Sequence, residues 1–248
     1  MSSIFHILNG DALLEQLPDS IPGTRIVARE CLIAGPTHGK DLTDFFHIRD
    51  AFLRKWEPKA TGLLGAGQIH QDIQHIPADS EVNLWFEEDL FCQLNLWFVL
   101  YALAQLDLPM DLYLILPRSD MRYGFGGLKP ETLPFVLEKR QKINTEELHI
   151  LRQLWPDYQS EEMETLQALA TSLSTTYKFL LPAIEAQLAR IPTDTHPGRP
   201  VATLQAIMDE LDTDTFGPIF REFVQREPIY GFGDLQGHQM GQSLRKGS

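Results

Sequence analysis

Val82-Asn83-Leu84-Trp85-Phe86 runs into Glu87-Glu88-Asp89 and then into Leu90-Phe91-Cys92-Gln93-Leu94-Asn95-Leu96-Trp97-Phe98-Val99-Leu100. The first five residues are a short, mostly apolar run of strand length, whereas the stretch after the three acids is too long for one strand. The reading is a strand over Val82 to Phe86 that passes almost directly into a helix from about Asp89 to Leu106. The run from Leu94 to Ala104 is interrupted by Asn95 and falls short of the roughly 18 apolar residues a membrane span requires, so it reads as a buried core helix. Strands and helices this apolar belong to an α/β layer architecture in which the sheet is covered on both faces.

The same rhythm extends upstream. Ile4 to Leu8 reads as the first strand, ended by the turn Asn9-Gly10-Asp11, with a short helix over Ala12 to Leu17. Pro18 to Gly23 breaks the chain before a second strand at about Arg25 to Arg29. Apolar positions recur near a 3.6 period from Asp41 to Trp56, a helix that stops at Pro58. Lys59 to Ser80, with Gly62, Gly65 and Gly67, is ambiguous. Downstream, Asp111 to Leu116 reads as a fourth strand closed by Pro117. Beyond it strand signals nearly vanish, and helix starts are marked by Pro130, by Asn144 with Glu147 in capping-box spacing, and by Ser160 before three acids. Further helices are expected over Tyr177 to Arg190, Val201 to Leu211 and Phe216 to Gln225. The fold class is therefore α/β, an N-terminal mainly parallel open sheet with flanking helices over residues 1–117, then a mainly α-helical half over residues 118–248.

The 248 residues carry 21 Lys plus Arg against 34 Asp plus Glu, a formal net charge of −13. Residues 1–117 hold 7 basic and 16 acidic groups, and residues 118–248 hold 14 and 18, so neither half is basic. A phosphate backbone is held by a surplus of basic side chains, which argues against nucleic acid as partner. Only Cys31 and Cys92 are present, too few for a disulfide framework. The first residues lack the basic region of a signal peptide. A cytoplasmic protein with no membrane association is expected, and its oligomeric state is not readable.

Ligands of open α/β sheets sit beyond the carboxyl ends of the strands, where loop donors and helix N-termini converge. The first strand delivers Asn9, Gly10 and Asp11 there, the second Arg29 and Glu30, the third Glu87, Glu88 and Asp89, and the fourth Arg118. Asn-Gly-Asp reads either as a ligand-binding turn or as a tight turn with Asp11 as helix cap. The acids after the third strand read equally as ordinary enrichment of a first helical turn. What favours a site is their coincidence at neighbouring strand ends. Asp11, Glu30 and Asp89 could hold Mg²⁺ through oxygen ligands or divide acid and base roles, with Arg29 gripping a phosphate or carboxylate. Asn9, Gly10 and Gln93 complete the candidate ligand contacts.

Other motifs carry less. Gly65-Ala66-Gly67-Gln68-Ile69-His70 lacks the third glycine of a dinucleotide fingerprint. There is no Gly-x-x-x-x-Gly-Lys-Ser/Thr loop, no His-Glu-x-x-His helix and no Gly-x-Ser-x-Gly elbow. Cys92, in a first helical turn, reads as a buried thiol more readily than as a reactive one. Trp85, Trp97 and Trp155 read as core. Tyr123-Gly124-Phe125-Gly126-Gly127 is echoed by Tyr230-Gly231-Phe232-Gly233-Asp234, both read as loops.

Three motifs together, His6-Ile7-Leu8-Asn9-Gly10-Asp11, Arg29-Glu30-Cys31-Leu32-Ile33-Ala34-Gly35-Pro36 and Trp85-Phe86-Glu87-Glu88-Asp89-Leu90-Phe91-Cys92-Gln93, resemble the bacterial family named domain of unknown function 1835. The resemblance implies an N-terminal α/β domain with a helical C-terminal segment. It singles out Asn9, Asp11, Arg29, Glu30, Asp89 and Gln93, and brings no established activity. Some relatives suggest a helix-turn-helix-like arrangement in the second half. Here Val201 to Arg226 holds two basic residues against Asp209, Glu210, Asp212, Asp214 and Glu222, the opposite of a recognition helix.

The leading expectation is an enzyme acting on a small phosphorylated or nucleotide-like compound at the carboxyl ends of the N-terminal strands. The competing one is a non-catalytic metabolite-binding or regulatory module, and nucleic-acid binding through the C-terminal half is the third.

Overall fold

The computed structural model describes residues 2–56, 66–117, 124–233 and 236–237. Gly62, Gly65, Arg118, Tyr123 and Asp234, singled out above, lie outside the described residues. The chain gathers into two compact units, one of residues 1–87 and 92–169, the other of residues 170–248 with residues 88–91.

The first unit holds a five-stranded sheet of order β2-β1-β3-β4-β5, with β1 Ile4–Leu8, β2 Thr24–Val27, β3 Ser80–Trp85, β4 Met110–Ile115 and β5 Gln141–Ile143. The first four are parallel and β5 runs antiparallel to β4. In β3 every residue but Glu81 is buried, as expected of a strand covered on both faces. Between the strands lie α1 Asp11–Gln16, α2 Leu42–Trp56, α3 Ala66–Gln74 and α4 Leu90–Ala104, followed by α5 Leu133–Glu138, α6 Thr145–Leu151, α7 Leu154–Gln159 and α8 Met163–Leu173.

Helix α4 is apolar around its whole circumference, and Leu94, Leu96, Trp97, Phe98, Val99, Leu100, Ala102 and Leu103 are all buried. Such a helix can only be a core element, and no helix among the described residues is long and apolar enough to cross a membrane. Helix α2 buries Phe45, Arg49 and Leu53, one residue per turn of a single stripe. Phe45 meets Phe98 and Trp155 at ring-centroid distances of 5.9 and 5.7 Å. Trp85, Trp97 and Trp155 are fully buried, as expected of core residues.

Three elements depart from the sequence expectations. The ambiguous stretch before β3 contains α3, whose Ile69 and Ile73 are buried four residues apart. β5 lies in a region expected to be helical; three residues are too few for an alternating pattern to register. Gly10, at φ 96°, precedes α1 as its cap, with Asp11 the first helical residue and no side-chain capping bond. The capping box expected at α6 is present in full, with Glu147 N donating to Asn144 Oδ1 at 2.9 Å and Asn144 N donating to Glu147 Oε2 at 3.0 Å.

The second unit contains α9 Leu180–Arg190, α10 Arg199–Leu211 and α11 Phe216–Arg226. Ala183, Ile184, Leu204, Ile207, Ile219 and Phe223 face its interior.

Candidate functional site

Strand β1 lies between β2 and β3, so the connection leaving β1 runs toward β2 while the one leaving β3 runs the other way, toward β4. In open α/β sheets such a reversal is where ligands lodge, here beyond the carboxyl ends of β1 and β3. Asn9, Gly10 and Asp11 follow β1 directly, and Glu87, Asp89 and Gln93 follow β3. Arg29 and Glu30 follow β2 after one buried residue, Ala28, whose N–H donates to Leu8 O at 2.8 Å.

A chain of amides links these strand ends. Asn95 Oδ1 accepts from Leu32 N at 3.3 Å, while its Nδ2 donates to Glu30 O and to Asn9 Oδ1, both at 2.8 Å. Backbone partners on both sides fix which way Asn95 points, and that in turn fixes Asn9, because its Oδ1 must be the acceptor. Asn9 Nδ2 is left facing Cys92 Sγ at 2.8 Å. The thiol is thus a buried acceptor in the first turn of α4, and both cysteines are buried and outside any disulfide.

Glu30 is also buried. Its Oε1 takes Cys31 N at 2.8 Å and Arg49 Nη2 at 2.5 Å, and both members of the pair are about 1% exposed. Arg49 further donates to Ala34 O at 2.7 Å, Cys31 O at 2.9 Å and Pro36 O at 3.0 Å. The arginine thereby pins residues 30–36 onto α2 and neutralises the carboxylate.

Asp11 and Arg29 form the solvent-facing pair. Arg29 Nε lies 2.9 Å from both carboxylate oxygens and Nη2 lies 2.7 Å from Oδ1. The Asp11 hydrogen bond raises the arginine further above its already high range. Both oxygens of Asp11 are engaged along one edge of the guanidinium. Nη1 has no partner among the described residues, and the side chain is a third exposed.

After β3, Glu87 Oε1 accepts Phe125 N at 2.9 Å, and Gly124, at φ 53°, packs its backbone onto that carboxylate where a Cβ would overlap it. In the second unit Gly231, at φ 60°, packs in the same way on Asp89. Gly124, which opens a short 3-10 helix over Gly124–Gly127, and Gly231 thus each close on a carboxylate, a role that brevity hid in the sequence. Gln93 donates Nε2 to Glu87 O at 2.7 Å, and its buried Oε1 has no donor among the described residues.

Within the six residues Glu87 to Cys92, ligand atoms of Glu87, Asp89 and Cys92 lie within 4.8 Å of one another. Two carboxylates and a thiol suit a borderline ion such as Zn²⁺ better than Mg²⁺, which prefers oxygen throughout. Glu87 and Cys92 already accept N–H donors, which an ion would have to displace.

No family model matches the chain, and no curated protein is similar to it. The structure adds Arg49 and Asn95 to the residues singled out from sequence, and gives Glu87, one of the acids after β3, a partner in Phe125 N. Arg49 had a signal, a lone cation on the apolar stripe of α2, and so did Asn95, the single polar interruption of the apolar run in α4.

Proposed function

We propose that this chain is a cytoplasmic protein that binds a small phosphorylated or nucleotide-like compound at the carboxyl ends of β1 and β3 and acts on it. The observation that carries this reading is the Asp11 fork on Arg29, which holds the guanidinium still while leaving Nη1 for an anion. In this reading Arg29 is the anion grip and Asp11 its positioning residue. Gln93, with its unsatisfied buried Oε1, supplies an acceptor for a ligand donor. In this reading Glu87 and Asp89, the acids that follow β3, carry any acid, base or metal chemistry. Two cysteines that form no disulfide support a reducing compartment. Kinship with the domain of unknown function 1835 is part of this proposal and rests on the resemblance of the three motifs alone.

A second reading, a non-catalytic metabolite sensor, is favoured by one observation. Asp11 and Glu30 are each paired with a guanidinium, which suits binding better than proton transfer. Nucleic-acid binding fits least, since Arg226, one of two cations between Val201 and Arg226, is held by Glu210 and Glu222.

Calorimetric titration with adenosine monophosphate, glucose 6-phosphate and inorganic phosphate, each with and without Mg²⁺, tests the site. Arg29→Gln is expected to weaken any hit by about tenfold or more, and Asp11→Asn by less. Equal binding by Arg29→Gln overturns the assignment. A hit converted to product on incubation supports the enzyme, and one recovered unchanged supports the sensor.

A further inference from the structure

At the opposite end of the sheet, α4 finishes at Ala104, Asp107 turns the chain at φ 50°, and Pro109 leads into β4 at Met110. This corner and the segment Thr145–Arg152 line a cavity of about 430 Å³, within the range of small-ligand sites. Its apolar side includes Leu103, Met110 and Leu108, the last of which is 41% exposed. Its polar side is Asp107, Thr145, His149 and Arg152. None of these four side chains has a hydrogen-bond or ion-pair partner among the described residues. Arg152 Nε is buried without an acceptor, so the guanidinium is left to bind through the nitrogens that remain accessible at the cavity.

The chemistry of the missing occupant follows from the two charges. A guanidinium lacking an acceptor calls for a carboxylate or phosphate. Asp107 and the C-terminal end of the 15-residue α4 call for a cation beside it. A doubly charged phosphate would face the Asp107 carboxylate and be repelled. A zwitterion satisfies both ends, and the exposed apolar wall takes an apolar side chain.

We propose that this cavity binds a free α-amino acid with an apolar side chain, carboxylate on Arg152 and ammonium on Asp107. The site is separate from the strand carboxyl ends and stands whether or not they bind a phosphorylated compound.

Calorimetric titration of the full chain with L-leucine tests this, alongside 4-methylpentanoate, which lacks the ammonium, and 3-methylbutylamine, which lacks the carboxylate. Leucine is expected to bind, and each analogue to bind about tenfold or more weakly. Arg152→Gln is expected to weaken leucine by a similar factor. Asp107→Asn, an exposed position whose change leaves the fold intact, is expected to weaken leucine but not 4-methylpentanoate. Failure of leucine to bind the wild-type chain overturns the proposal, as does unchanged leucine affinity in Asp107→Asn or 4-methylpentanoate binding as tightly as leucine.

Discussion

The indole of Trp85 donates its Nε1 proton to Nδ1 of His6 at 3.0 Å, joining β3 to β1 through two fully buried side chains. With Nδ1 an acceptor, the proton of neutral His6 resides on Nε2, which donates to Pro22 O at 3.1 Å. A second proton on the ring would cost the indole its acceptor.

Burial, the largest cause, holds the His6 imidazole below its ordinary range of 6.5. The folded state therefore binds fewer protons than the unfolded one, and the stability from neutral His6 is present in full above about pH 6.5 and lost as pH falls below it. Urea unfolding between about pH 5 and 7 should show stability falling toward the acid side. His6→Gln should flatten that slope, leaving a smaller one from His70, which burial also lowers. A slope as steep as wild type in His6→Gln would remove His6 from the account.

Breaking the Glu30–Arg49 pair leaves an uncompensated charge in the core. Glu30→Gln or Arg49→Met alone should cost about 3–5 kcal/mol in denaturant unfolding, and the double variant should recover part of that loss. Single-variant costs under about 1 kcal/mol would mean the surviving charge reaches water.

Gly124→Ala forces a side chain into the left-handed region and onto Glu87, with an expected loss of about 1–2 kcal/mol or more. Gly126→Ala, two residues on, meets nothing within 4 Å and should stay within about 0.5 kcal/mol of wild type. Similar losses at both positions would show that the loop, rather than the clasp on Glu87, sets the cost.

Asn95→Ala removes the partner of Leu32 N, Glu30 O and Asn9 Oδ1 together. A destabilisation of about 1–3 kcal/mol is expected. Released from Asn95, Asn9 no longer holds its amide on Cys92, so alkylation of that thiol in the native state should speed up. Unchanged labelling and stability would show that the amide chain is dispensable.

The central elements were readable because burial on every side leaves a loud signal. Val82 to Trp85 and Leu94 to Leu103 can be nothing but interior, and the polar residues after each strand mark the carboxyl ends whatever the strand order. Partners were harder to read. Glu30 and Arg49 are 19 residues apart, on a loop and on a helix stripe, and sequence periodicity cannot say that one charge is there for the other. Glu87 and Phe125 are 38 apart, so the glycine echo looked like two loops without a purpose. β5 rests on three residues whose strand state comes from pairing with β4 rather than from their own propensity.

The strand order also sets a timetable for synthesis. β1 leaves the ribosome first, yet one of its edges waits for β3, and His6 and Trp85 are 79 residues apart. At about 5–20 residues per second, on the order of ten seconds pass between the two. Throughout that interval the backbone N–H and C=O groups along one edge of Ile4–Leu8 have no strand to pair with. Slowing translation between β2 and β3 should therefore lower soluble yield, and the amino-terminal strand is where a holding chaperone would engage.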